Sequence, residues 1–338
     1  MTRLLIIRLS SIGDIIFTSA AIRCAKEQIP DVEIHFLTKK SLKAVTEANP
    51  YIDHFHYHDN NLVATIAELK AANLDMVIDL HHNFRTFRIK KALGVTTFTY
   101  KKLSLQKWIL TRFGINLLPD THIVERSLDP LKILGVQNDG KGMDYFVPAN
   151  VSLKANDIPT SHQAGYIALV IGASYATKRM PVEQLQQLCS LIPVPIILIG
   201  GKEDQPSGEE VANTDPIKIY NGCGKFNLHE SALLVKGARM VISNDTGFLH
   251  VACAFHKKTI AIWGATTPLL QVGPYYAASD LQNGQEMYFN AMVPNLPCQP
   301  CSKYGTKKCP QGHFACMKKQ DLQSIADKAI ANFKETIG

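Results

Sequence analysis

The sequence predicts an α/β protein built as two successive open domains, each a doubly wound parallel sheet. Three observations lead there. The chain has 338 residues, more than one ordinary domain needs. Short, continuous apolar runs alternate with helical patterns, as expected of strands buried on both faces. A polar stretch without period, "VPANVSLKANDIPTSHQAG", breaks that rhythm midway, and the rhythm then restarts.

The first strand is "RLLIIRL", followed by a helix from about Asp14 to Glu27 that stops before Pro30. Strand "VEIHFLT" leads into a helical "KSLKAVTEAN", which Pro50 ends. "HFHYH", the helical "NLVATIAELKAA" and "DMVIDL" continue the alternation. Past the polar break come strand "YIALVIG", helix "PVEQLQQLCSL", strands "PIILIGG" and "IKIY", and helix "NLHESALLVKGA". Strand "RMVISN", helix "TGFLHVACAF" and strand "TIAIWGA" follow, and "QDLQSIADKAIANFKETIG" is a terminal amphipathic helix. The expected domains are 1–155 and 156–320, both Rossmann-like, with the helix 321–338 appended. Such a pair makes an interdomain cleft, with ligands at the carboxyl ends of the strands.

Composition narrows the class. A 46% hydrophobic and 19% charged chain is that of a soluble globular protein. No run approaches the ~18 apolar residues of a membrane-spanning helix. The apolar opening is broken by Arg8 and Asp14, which does not suit a signal sequence, so a cytoplasmic location is expected. The net charge is +7, concentrated in "NFRTFRIKK" and "YGTKKCPQGHFACMKK", which favours anionic partners. No G-x-G-x-x-G follows the first strand and no G-x-x-x-x-G-K-[ST] is present, which argues against dinucleotide dehydrogenases and P-loop NTPases.

Four segments carry candidate chemistry. In "LSSIGDII", Asp14 sits where a strand gives way to a helix; it is either a helix cap or a general base toward a hydroxyl. In "ISNDTGFLH", Asp245, Thr246 and Gly247 open a helix whose N-terminus suits a phosphate, with His250 one turn on. In "GASYATKRMP", Ser174, Thr177, Lys178 and Arg179 follow a strand and can hold phosphate oxygens. In "CQPCSKYGTKKCPQGHFAC", Cys298, Cys301, Cys309 and Cys316 are a candidate structural zinc site. Reduced structural thiols or a disulfide are the alternatives, the latter disfavoured in the cytosol.

Taken together and in this order, these segments resemble glycosyltransferase family 9, the ADP-heptose–lipopolysaccharide heptosyltransferases. "RLSSIGDIIFTSAAIR" is similar to that family's opening strand, loop and helix; "DLHHNFRTFRIKKALG" resembles its D-L-x-x-N-x-R segment; "HIVERSLDPLKILG" resembles its H-x-x-x-R helix. "SNDTGFLHVACAF" followed by "WGATTP" is similar to its nucleotide-sugar motif, and the cysteine segment resembles one in the heptosyltransferase II-type branch. The resemblance implies a GT-B fold, with the acceptor on the first domain, the ADP-sugar on the second, and the terminal helix crossing back.

It further implies inverting transfer of L-glycero-D-manno-heptose from ADP-heptose to the lipopolysaccharide inner core. Asp14 would be the base. Ser174, Thr177, Lys178, Phe226, Asp245, Thr246, Gly247 and His250 would line the donor site, with Glu203 or Asp204 near the adenine or ribose. Arg85, Arg88, Lys90 and Arg126, with Lys91 and His122 beside them, would hold a phosphorylated, acidic, lipid-linked acceptor. The enzyme would dock peripherally on the inner face of the inner membrane of a Gram-negative bacterium. No D-x-D pair is present, so no catalytic Mg²⁺ is expected. The loop reads "KRMP", with Met180 where the family often has an aromatic residue, and "GASYA" lacks the usual paired threonines. Those departures bear on donor identity more than on reaction class. A family member with another donor or acceptor, or a non-catalytic binder of nucleotide sugar, would share the same motifs. A zinc-bearing nucleic-acid-binding protein would draw on the cysteines, but charge is near balance elsewhere and no nucleic-acid partner is expected.

Overall fold

The computed structural model describes residues 1–284 and 286–335; residues 336–338 of the expected terminal helix lie outside the described residues. The chain divides into two compact units. The first takes residues 1–102, 121–148 and 277–279; the second takes 103–120, 149–276 and the described residues from Asp280 onward.

The first unit holds strands β1 (Thr2–Ile7), β2 (Val32–Lys39), β3 (His54–His58), β4 (Met76–Asp79) and β5 (Thr96–Thr99). They form one sheet in the order β3-β2-β1-β4-β5, and every neighbouring pair is parallel. The apolar run of β1 is continuous because both faces are covered. Leu4 and Ile6 enter one core with Ile34, Phe36 and Ile78; Leu5 and Ile7 enter the other with Leu37, Val77 and Ile89. Burying one such side chain is worth about 1.5–3 kcal/mol.

The helix Ile12–Gln28 is buried along nearly its whole length, which explains its weak amphipathic pattern. Its interior hydroxyls bond back to the preceding turn, Thr18 to the Ile15 carbonyl at 2.6 Å and Ser19 to that of Ile16 at 2.7 Å. Arg23, 2% exposed, meets Asp139 through two nitrogens at 2.8 and 2.9 Å, donates to the Gly142 carbonyl and pairs with Asp144. Burial works against both carboxylates. Asp139, gripped twice, still titrates below its ordinary range, whereas Asp144 is pushed up.

The second unit holds β6 (Ile167–Val170), β7 (Ile196–Ile199), β8 (Ile219–Asn221), β9 (Met240–Asn244), β10 (Thr259–Ile262) and β11 (Tyr288–Ala291). Their order is β11-β10-β9-β6-β7-β8, again parallel throughout. The terminal helix Leu322–Glu335 adds Ile325, Ala326, Ala329 and Phe333 to this unit's larger core. Leu249, Ala261 and Trp263 fill the opposite face.

Two strands, β5 and β11, are absent from the sequence-based reading. Both are edge strands whose residues, Ala291 excepted, are partly exposed, so neither carries a continuous apolar run. "KSLKAVTEAN" is a turn of 3₁₀ helix (Lys40–Leu42) and one α-turn (Lys43–Thr46) rather than a full helix. Strand order reverses between β1 and β4 in the first sheet and between β6 and β9 in the second. At such a point the connections leave to opposite sides and open a crevice beyond the carboxyl ends.

Arg23→Met should lower stability by about 3–5 kcal/mol, because it strands two partly buried carboxylates. The urea midpoint should fall at unchanged m-value. A midpoint equal to wild type would mean the ion pairs contribute nothing net.

Candidate active site

In the first unit, two loops leave the β1/β4 switch point. Arg8 follows β1 with its side chain 8% exposed, and its guanidinium is anchored by the carbonyls of Ser10 (3.1 Å) and Leu80 and by the Tyr100 hydroxyl (3.3 Å). It pairs with Asp14, whose side chain is 29% exposed. The other Asp14 oxygen accepts the Ser11 amide and hydroxyl, both at 2.9 Å. Burial alone would lower the Arg8 pKa, but Asp14 and Tyr100 outweigh it and the net shift is upward. Asp14 is therefore the third residue of a helix that starts at Ile12, closing a box with Ser11, and its carboxylate is aimed by fixed partners.

After β4, buried Asp79 accepts the amides of His81 (3.0 Å) and His82 (2.8 Å) and the Thr86 hydroxyl (2.8 Å). Its carboxyl titrates below the usual range. Burial opposes that shift, and the His82 amide, Lys90 and Thr86 overcome it. Lys90 is thereby engaged within the fold, 2.8 Å from Asp79 and 2.8 Å from the Thr99 hydroxyl. Arg85 is half-buried and Arg88 and Lys91 are exposed on the helix Phe84–Leu93. Burial, with Arg8 and Lys102 near, pushes His81 down to about 4, leaving a neutral imidazole beside the Arg8–Asp14 pair.

Arg126 differs from all of these. It lies on the helix Ile123–Leu128, 3% exposed, and none of its three guanidinium nitrogens has a hydrogen-bond partner. Burial pushes its pKa down against the opposing influence of Tyr100 and Asp129. A buried cation without hydrogen bonds is costly, and an anionic ligand would relieve the cost. His122 caps the same helix by accepting the Val124 amide at 3.2 Å.

In the second unit, the equivalent switch point joins the loops after β6 and β9. Asn244 ties them by donating to the Ile171 carbonyl at 2.9 Å. Asp245 Oδ2 takes Lys178 Nζ at 2.7 Å and the Thr266 hydroxyl at 2.6 Å. Thr246 and Gly247 open the helix Gly247–Ala254, and His250 is buried within it. Ser174 is exposed on the β6 loop. The Thr177 hydroxyl is spent on the backbone of Thr306, donating to its carbonyl at 3.0 Å and accepting its amide at 2.7 Å. Phe226 packs over Gly222, where a Cβ would stand 3.4 Å from the ring. Of the two acidic candidates, Asp204 is buried and held by Arg179 (3.2 Å) and the Gly201 amide (2.9 Å), while Glu203 is exposed. Met180, 3% exposed, is a core residue.

The cysteine segment braces this loop. Gln299 donates to the carbonyls of Trp263, Gly264 and Thr266, and the Cys301 amide to that of Ala265. Gly305, at φ +98°, lies so near that a Cβ would come within 2.7 Å of Tyr175 and 3.0 Å of the Lys178 stem. Cys298 and Cys309 lie near enough to Cys301 and Cys316 to bear on the titration of those two thiols. Burial first, then its three neighbours, pushes Cys316 up to about 12, and Cys301 is raised in the same way. Their soft donor set suits zinc. They are spread more widely than a closed site: among the described residues, the His, Cys and carboxylate ligand atoms that gather within 4.8 Å of one another are those of Glu33, His35 and His54.

Sequence reasoning missed Tyr100, His81, Thr266 and Gly305. Arg8 was visible as a charge inside an apolar strand, which is the signal that pointed to this loop.

The model of glycosyltransferase family 9 (heptosyltransferase) matches residues 62–308. Lipopolysaccharide heptosyltransferase 1 of Campylobacter coli is 26% identical over 292 residues, 78% of this chain and 84% of that relative. A glycosyl transferase family 9 structure from Veillonella parvula has a TM-score of 0.75 at 20% identity, covering 99% of this chain and 98% of that one. The E. coli heptosyltransferase WaaC with ADP has a TM-score of 0.68 at 19% identity, covering 98% and 100%. At those identities the structural likeness shows the fold, which is GT-B.

Arg126→Met should hold or raise the melting temperature, since it removes an unsolvated charge and breaks no hydrogen bond; the gain is of order 1 kcal/mol or more. A clear fall in melting temperature would mean the guanidinium already has a stabilising partner.

Proposed function

Because the chain belongs to glycosyltransferase family 9, the heptosyltransferase family, we propose that it moves L-glycero-D-manno-heptose from ADP-heptose onto the lipopolysaccharide inner core, with inversion and with Asp14 as general base. The observation that carries this reading is the Asp14 carboxylate, partly open at the β1 switch point and held in direction by Arg8 and Ser11. An ionised carboxylate is an acceptor only, so it can take the proton of an attacking hydroxyl. A positioned base typically contributes ~10²–10⁴-fold.

In the transfer, the acceptor hydroxyl forms its bond to the anomeric carbon on one face while the bond to the ADP oxygen breaks on the other. The proton passes to Asp14 and the electron pair leaves with the diphosphate. Lys178 and the amides at Thr246–Gly247 would receive that growing charge. Lys178 would exchange its partner Asp245 for the diphosphate, with Thr266 retaining the carboxylate. Ser174 would add a hydroxyl, and Phe226 and Glu203 would face the nucleoside. Arg126 would grip an acidic group of the acceptor, with Arg85 and Arg88 further out.

Cys298, Cys301, Cys309 and Cys316 would hold a structural zinc, whose thiolate bonds would stiffen the segment behind Lys178. Peripheral membrane association is supported by Leu105, Trp108, Phe113, Ile115 and Leu117, all exposed on one segment with Lys107 and Arg112. No helix among the described residues is long and apolar enough to cross a membrane.

The test is ADP release from ADP-heptose, in EDTA, with both heptose-free and one-heptose core acceptors. Two acceptors are needed because a relative that matches 78% of this chain is named heptosyltransferase 1, while the cysteine segment resembles the II-type branch. Wild type should release ADP only with acceptor, and Asp14→Asn should lose at least ~10²-fold in kcat with its melting profile retained. Full activity in the folded variant would leave Asp14 as a helix-terminal residue. Turnover of another nucleotide sugar but not ADP-heptose would keep the family and discard the heptose.

A further inference from the structure

Histidines collect where β2 and the edge strand β3 begin, at the opposite end of the first sheet from Asp14. Parallel pairing sets His35 across from His54, and alternation puts Glu33, His35, His54 and His56 on one face. One ligand atom each from Glu33, His35 and His54 lies within 4.8 Å of the other two. His35 is 4% exposed, and its Nε2 has no hydrogen-bond partner.

A chain of hydrogen bonds decides what that nitrogen carries. The Glu68 carboxylate is an acceptor, so His56 Nδ1 donates to it at 2.6 Å. A His56 that carries that single ring proton accepts at Nε2 from His35 Nδ1–H, at 2.9 Å. His35 Nε2 is left with its lone pair, 4.0 Å from a Glu33 oxygen. A buried lone pair facing a carboxylate is two acceptors with no donor between them. A cation resolves that arrangement.

We infer that Glu33, His35 and His54 bind a late first-row divalent metal ion of the zinc, cobalt and nickel class, with His56 and Glu68 as the outer pair that orients His35. Two imidazoles and one carboxylate are a donor set that such ions accept, and it leaves a position open to water. A carboxylate behind a ligating histidine fixes its tautomer in the same way. His54 Nε2 lies against Glu33 Oε1, and metal displaces the proton between them. The rings of His35 and His54 are stacked, with centroids 4.5 Å apart and planes 21° apart, so His54 turns to aim its lone pair. Its side chain is 50% exposed and has room to do so. Arg3, 3.2 Å from Glu33 Oε2, is the cation the metal displaces or shares. The ion would clip the edge strand to its neighbour, away from the transfer chemistry.

The experiment is cobalt(II) titration of the full chain, purified without a histidine tag, against His54→Ala, Glu33→Gln and Glu68→Gln. Cobalt on the cysteine thiolates absorbs strongly through sulfur charge transfer, whereas cobalt on nitrogen and oxygen gives weak d–d bands alone. Wild type should take up one more equivalent than His54→Ala, with the weak bands. Glu68→Gln should bind that equivalent ~10–100-fold more weakly. Zinc should raise the melting temperature of wild type more than that of His54→Ala, while transferase activity stays equal. Equal cobalt uptake by wild type and His54→Ala, or sulfur bands for every bound equivalent, overturns the inference.

Discussion

A strand buried on both faces can offer chemistry at its ends and nowhere else. Every side chain of β1 from Leu4 to Ile7 is consumed by one core or the other. The first polar group the strand can present is Arg8, and the first carboxylate after it is Asp14. The same holds for β6 and β9: Asp245 comes immediately after β9, and Lys178 lies in the loop that follows β6. Candidate transfer chemistry collects at the two switch points because the central strands, consumed by their cores, offer it no place along their length.

The charges found there are already paired. Arg8 holds Asp14, Lys178 holds Asp245, and Lys90 holds Asp79. A buried pair roughly breaks even against the cost of leaving water, but removing one partner costs several kcal/mol. A phosphate or an acidic sugar that replaces one partner therefore meets a cation whose desolvation the fold has already met. Arg126 is the exception: folding has buried it and supplied no hydrogen-bonding counterpart.

Much of this was legible in the sequence, because rhythm and charge placement are one-dimensional properties. The central strands declared themselves by unbroken apolar runs, Asp245 by following one directly and Asp14 by opening the helix after another. Other features depend on where an atom ends up. Lys90 reads as an exposed cation of a basic cluster, yet its ammonium meets Asp79 inside the unit. Thr177 reads as a phosphate ligand, yet its hydroxyl serves the backbone of Thr306, 129 positions away. Asp204 and Glu203 are neighbours with the same charge, and only packing separates the buried one from the exposed one. Strands β5 and β11 escaped because an edge strand needs one covered side and carries no continuous apolar signal.

The cysteine segment shows how a remote stretch can govern a loop without touching a substrate. Lys178 is held from the front by Asp245 and from behind by Gly305, whose positive φ and missing side chain let the backbone lie along the lysine stem. Gly264 does the same on another side, since a Cβ there would stand 2.3 Å from the Thr177 carbonyl. The ammonium position is thus set by two glycines, one carboxylate and the hydrogen bonds of Thr177. Whatever stiffens residues 298–316 narrows the travel of Lys178, and whatever loosens them widens it. On the proposed reading, the thiols would bear on transfer through the geometry of that one cation.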